Sequence, residues 1–114
     1  LTIIRFWANW CPYCRDEMGE LEPIQRAYQQ RGVGLLAVSA WQSKAEAASF
    51  VASTGITVPV VVDESGEVAR RYRITGLPTT FFIDSGGRIV GRIVGPSTPQ
   101  IFTTVVNGLL HTAP

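Results

Sequence analysis

The two cysteines of this chain, Cys11 and Cys14, stand where an apolar run meets a helical pattern. Leu1 to Ala8 (LTIIRFWA) is apolar, β-branched and aromatic, and reads as a buried strand. Cys11-Pro12-Tyr13-Cys14 follows almost at once, and a helical spacing then runs to about Arg31. Such a chain must turn from strand into helix within a few residues, with Cys11 left at the helix N-terminus. Unpaired backbone N–H groups and the positive end of the helix dipole favour a thiolate there. Pro12 suits the first helical position, where its missing N–H costs nothing.

The rest of the chain alternates in the same way. Met18, Leu21, Ile24, Ala27 and Tyr28 recur at helical spacing, and Gly32 suits the stop. Pro23 lies inside this helix and predicts a kink. Val33 to Ala40 reads as a second buried strand. Ser43 and Glu46 form a capping-box pattern opening a helix with Ala47, Phe50 and Val51 inward and Gly55 at its end. Val58 to Val62 reads as a short strand, with Pro59 favouring an edge or a strand start. Glu67 to Tyr72 predicts a short helix with Val68 and Tyr72 on one face. Gly76-Leu77-Pro78 predicts a turn, Thr79 to Asp84 a strand, and Gly86-Gly87 a hairpin into a returning strand over Arg88 to Val94. A last helix opens at Thr98 or Pro99, with Ile101, Phe102, Val105, Val106, Leu109 and Leu110 as its apolar stripe. Strands joined by helices predict parallel pairing, and the hairpin adds antiparallel strands. The expected class is α/β, a mixed central sheet flanked by helices, with residues 1–114 as one domain.

Composition narrows the function classes. The chain has 114 residues, 46% of them apolar and 17% charged, with mean hydropathy +0.16. That is enough chain for a core without a disulfide framework, and it argues against disorder. Ten basic and nine acidic residues leave a formal charge of +1, so nothing draws the chain toward nucleic acid. The apolar runs are shorter than the roughly 18 residues that a membrane-spanning helix needs. Leu1 already lies inside an apolar run, so the chain reads as a piece of a longer product, before which a signal peptide, membrane anchor or first structural element could stand.

The chemistry is expected at the cysteine pair. A Cys11 thiolate can attack a disulfide, and Cys14, one turn further in and more buried, can attack the mixed disulfide and release the partner. The intervening Pro12 and Tyr13 tune which oxidation state is favoured. A merely static disulfide across so short a loop would gain little. A zinc site would need four ligands, and only His111, far along the chain, remains as a soft partner. A redox-inert metal-handling module, such as a copper chaperone, stays as a rival; Met18, the lone methionine, gives it few soft ligands.

Phe6-Trp7-Ala8-Asn9-Trp10-Cys11-Pro12-Tyr13-Cys14-Arg15 resembles the active-site signature of thioredoxin-fold proteins. Cys14-Arg15-Asp16-Glu17-Met18 and Gly76-Leu77-Pro78-Thr79-Thr80-Phe81-Phe82-Ile83-Asp84 resemble the TlpA-like branch, the ResA- and CcmG-type thiol-disulfide oxidoreductases. The helix from Ser43 and the VPVVVD segment also fit that branch, and the resemblance runs over essentially the whole chain. It implies a thioredoxin-like fold whose N-terminal strand or hairpin is missing here.

The resemblance implies roles at named positions. Cys11 and Cys14 match the redox pair. Pro78 matches a cis-proline that packs beside the disulfide and turns the backbone of Leu77 toward a partner's extended strand. Glu17 matches an acid near the buried cysteine, able to exchange a proton with Cys14; it reads equally well as a solvated charge early in a helix. Trp10 and Tyr13 are expected on the partner-docking surface, and Trp7 in the core. Trp41 could line the same face or merely pack, and His111 reads as a cation near a helix end. Two positions depart from the pattern. Arg5 stands where thioredoxins proper carry a buried acid; it either reaches the underside of the site, where its charge favours a thiolate, or snorkels to the surface. Gly19 stands where the family carries a helix-kinking proline, with Pro23 one turn later.

The resulting expectation is a protein disulfide oxidoreductase that reduces its partners' disulfides, with no cofactor and no metal. Its partners would be disulfide-containing proteins and an upstream thiol donor, with cytochrome c maturation one setting the branch suggests. The setting would be periplasmic or otherwise extracytoplasmic, with the membrane reached only through an anchor outside these residues. A DsbA-like oxidant would share the fold and run the other way. The Pro-Tyr dipeptide also occurs in glutaredoxins, although the Trp-Ala-Asn-Trp context fits that family poorly.

Overall fold

The computed structural model of the chain describes residues 1–112. Its strands are β1 (Thr2–Trp7), β2 (Gly34–Ala40), β3 (Val60–Asp63), β4 (Thr79–Ile83) and β5 (Ile89–Val94). Its helices are α1 (Pro12–Tyr28), α2 (Lys44–Thr54), α3 (Glu67–Arg71) and α4 (Pro99–Thr112), with a 3₁₀ turn over Gln29–Arg31. The sheet order is β3-β2-β1-β4-β5. β1 runs parallel to β2, and β2 to β3, whereas β4 is antiparallel to both β1 and β5. This is the mixed sheet that the alternation of strands and helices predicts.

The strand alternation divides the core. Ile3 and Trp7 of β1 pack with Met18, Leu21 and Ile24 of α1, Phe50 of α2, and Phe102 and Val106 of α4. Phe6 faces the other way, toward Tyr72 and Phe81, with Ala69 of α3 in the same cluster. Each large apolar side chain so buried contributes roughly 1.5–3 kcal/mol. Trp7 is core, as expected. Three positions of the expected apolar faces are exposed instead: Ala27 on α1, Val68 on α3 and Ile101 on α4. Each lies at the margin of its stripe, where the neighbouring element does not reach. On α3 the inward position belongs to Ala69.

The ends of the elements are chemically explicit. The Ser43–Glu46 capping box closes in both directions, at 3.0 and 3.1 Å. Gly32 and Gly55 take the left-handed conformation that ends their helical segments. α1 continues through Pro23. Gly66 at the N-cap of α3 has no side chain to cap with, and the buried Asp63 carboxylate accepts from the N–H groups of Val68 and Ala69 instead. A Cβ on Gly66 would overlap the Trp41 indole.

Candidate active site

The parallel arrangement of β1, β2 and β3 brings their C-terminal ends to one edge. The loops that follow them carry Trp10-Cys11, Trp41-Gln42 and Ser65-Gly66. Because β4 is antiparallel to β1, with Phe6 opposite Thr79, its N-terminal end reaches the same edge and carries Leu77 and Pro78. Open α/β sheets place their reactive loops at such an edge.

Cys11 is the N-cap of α1, and its Sγ accepts a hydrogen bond from the Cys14 N–H at 3.3 Å. The two cysteines are joined as a disulfide, with their Cα atoms 5.3 Å apart. Both are buried, Cys14 completely. Trp10 and Tyr13 flank the pair in the open, at 58% and 60% exposure. That is the exposure a docking surface requires. Trp41 is exposed in part. The Leu77–Pro78 bond is cis. Pro78 is buried, and its carbonyl accepts from the Gly95 N–H at 2.8 Å.

Beneath this surface lies a charged cluster. Glu17, one turn along α1 from Cys14, is only 6% exposed, so it is no solvated helix charge. Its Oε1 accepts from the Ser97 N–H at 2.9 Å and lies 3.9 Å from Nη1 of Arg5. Its Oε2 is buried with no hydrogen-bond partner among the described residues. Burial pushes the Glu17 carboxyl above its ordinary value, against the Ser97 N–H and the Arg5 charge, which pull it down. Arg5 does not snorkel. It is 4% exposed, donates from Nε to Thr80 Oγ1 at 3.0 Å, and sits over the Phe102 ring. The same burial pushes the guanidinium below its usual value, opposed by Glu17 and Glu20.

Three contributors escape sequence reading. Gln42 is buried; its Oε1 accepts from the Asn9 N–H at 2.8 Å, and its Nε2 donates to Ser39 Oγ. It ties the loop before Cys11 to the loop after β2. Ser97 supplies the N–H that holds Glu17, and Thr80 supplies the oxygen that holds Arg5. Partners 33 to 80 residues apart leave no local signal. Among the described residues, no group of three or more His, Cys, Asp or Glu is placed to hold a metal ion. His111 lies exposed in the last turn of α4.

Residues 1–92 match the model of the AhpC/TSA family. The chain is 35% identical over 99 residues to the thiol-disulfide oxidoreductase ResA of Geobacillus thermodenitrificans, covering 87% of this chain and 57% of that relative. It is 30% identical to the sporulation thiol-disulfide oxidoreductase A of Bacillus subtilis, over 87% of this chain and 62% of that protein. The chain thus spans little more than half the length of the curated relatives it matches. Among solved structures, a Chlorobium tepidum protein described as a thiol:disulfide interchange protein DsbE superposes with a TM-score of 0.90 at 27% identity, covering 96% of this chain and 79% of that one. StoA from Bacillus subtilis superposes at 0.81 with 29% identity, covering 92% and 81%. The fold is thioredoxin-like, as the sequence resemblance implies.

Proposed function

This chain belongs to the AhpC/TSA family, and on that premise we propose that its Cys11–Cys14 pair exchanges electrons with protein disulfides, residues 1–114 acting as one thioredoxin-like domain. The observation that carries the reading is the bonded pair at the N-terminus of α1, with Cys11 Sγ accepting a helix N–H. In the reduced protein that N–H stabilises the Cys11 thiolate. The thiolate attacks one sulfur of a partner disulfide. A Cys11–partner bond forms, the partner's S–S bond breaks, and the leaving sulfur departs as a thiolate. Cys14 then loses its proton to the Glu17 carboxylate and attacks Cys11 Sγ. The mixed disulfide breaks, the partner leaves fully reduced, and the Cys11–Cys14 bond holds the pair oxidised. Two electrons have passed to the partner, and an upstream dithiol protein must return them.

Trp10, Tyr13, Leu77 and Pro78 make the docking surface in this reading. The exposure of the two aromatics beside the cysteines supports it. The setting we propose is extracytoplasmic, where protein disulfides persist and a reductant has work to do.

The test is the reduction potential of the Cys11–Cys14 pair, equilibrated against a thiol redox buffer and read by Trp fluorescence. A value below about −230 mV is expected. A value near about −120 mV would make the protein an oxidant and reverse the assigned direction. Failure to reduce insulin disulfides would remove the exchange reading itself.

A further inference from the structure

A buried arginine beside a glutamate of the helix that carries both cysteines needs a reason, because burying a cation costs free energy unless it is paired. Arg5 projects from the central strand of the sheet and is closed over by Phe102. Its Nε is fixed on Thr80 Oγ1, the residue opposite it on β4. Its Nη1 is 3.9 Å from Glu17 Oε1, in the range of an ion pair and longer than a direct charge-assisted bond. A cavity of about 10 Å³, room for at most one water, is lined by Arg5, Glu17, Glu20, Ser97 and Phe102. Arginine keeps its proton in proteins, so Glu17 is the member of the pair that titrates.

We infer that Arg5 is a positioning residue for the exchange: anchored on Thr80, it is the counter-charge that keeps the Glu17 carboxyl ionised and ready to take the Cys14 proton. The inference rests on the proton-accepting role proposed above for Glu17. The groups facing that carboxyl are few. Arg5 comes from β1 and the Ser97 N–H from the loop before α4. Phe102 of α4 is uncharged. Asp16 and Glu20 of α1 itself oppose ionisation. Arg5 is the one cation among them, so no other of these described groups can replace its charge. Burial alone drives this carboxyl toward its neutral form, which could not accept a proton.

The experiment follows the Glu17 carboxyl directly, by carbon-13 NMR titration of the oxidised full chain, in wild type, Arg5→Met, Arg5→Gln and Arg5→Lys. The Glu17 midpoint is expected to rise by about one pH unit or more in Arg5→Met, with Arg5→Lys returning part of the way. Arg5→Gln keeps a polar group for Thr80 and gives the same reading if the Met variant does not fold. In the reduced chain, the acid limb of the pH profile for reduction of a disulfide-bonded peptide is expected to move with the Glu17 midpoint. Glu17→Gln should abolish that dependence. An unchanged Glu17 midpoint in folded Arg5→Met or Arg5→Gln overturns the role of Arg5 and leaves that of Glu17 standing. A pH profile unaltered by Glu17→Gln overturns the role of Glu17, and that of Arg5 with it.

Discussion

The Asn9 amide nitrogen lies 2.8 Å from the side-chain oxygen of Gln42, so one buried amide group joins the loop after β1 to the loop after β2. The same side chain donates to Ser39, which is fully buried. Gln42 therefore holds the turn that presents Cys11, and it does so without touching either sulfur in any described bond. Gln42→Ala would leave the Asn9 N–H and the Ser39 hydroxyl without this partner. The expected cost is about 1–3 kcal/mol of stability, measured by urea denaturation of the oxidised protein. A loss below a few tenths of a kcal/mol would show that the clamp is dispensable.

The two cysteines should behave differently. Reduced Cys14→Ser, mixed with a disulfide-bonded peptide, is expected to accumulate a mixed disulfide through Cys11, seen as a mass increase of one peptide strand. Cys11→Ser should give no comparable adduct, since Cys14 is fully enclosed. Adduct formation on Cys14 would reverse the two roles.

Glu17 makes stability depend on pH in a direction set by its burial. Its carboxyl is raised from the ordinary value of 4.5. Below that value native and unfolded chains both hold the proton, and the contribution is fully present. As pH climbs through the raised native value, the unfolded chain has already released a proton that the native one still holds, and stability is lost. Glu17→Gln can still accept from Ser97 and cannot titrate. Urea midpoints taken from pH 4 to pH 8 should therefore fall less steeply for the variant than for wild type. Parallel curves would show that Glu17 does not couple to folding.

Glu22 gives the opposite sign. Desolvation would raise its carboxyl, but the Thr57 hydroxyl at 2.6 Å, the Val58 and Thr57 N–H groups and the charge of Arg26 together hold it below 4.5. Its stabilisation is complete above that value and fades as pH falls through the lowered one. The carboxylate pins α1 to the segment leading into β3, so Glu22→Ala should cost about 1 kcal/mol at pH 7, discounted for its contact with solvent. The cost should shrink in acid. An equal penalty at pH 7 and pH 3 would assign the effect to packing alone.

Much of this site is legible along the chain because its causes are local. The capping box at Ser43 and Glu46 forms within three residues. Cys11 and Cys14 lie within one helical turn, and the strand before them and the apolar spacing after them dictate a strand-to-helix junction. Element boundaries fall within two residues of expectation for the same reason, once the 3₁₀ turn to Arg31 is counted with α1. β3 begins at Val60, after Pro59, and not at Val58. Apolar periodicity reads less well at the margins: Ala27 and Ile101 keep the helical spacing and still face solvent. Spacing defines a stripe, while the neighbouring element decides how wide a stripe it covers.

The sequence by itself determined the order of strands and helices, the α/β class and the place of the redox pair, since these follow from hydrophobic period, caps and turn residues acting over a few positions. Only the tertiary structure decided the states of the charged groups. Arg5 reads equally as a surface cation or a buried one, and Glu17 as a solvated charge or a buried acid. The choice came when β4 brought Thr80 opposite Arg5 and the loop before α4 brought Ser97 to Glu17. Desolvation and pairing depend on what surrounds a side chain in space, and contacts across as many as 80 residues are set by the packed fold.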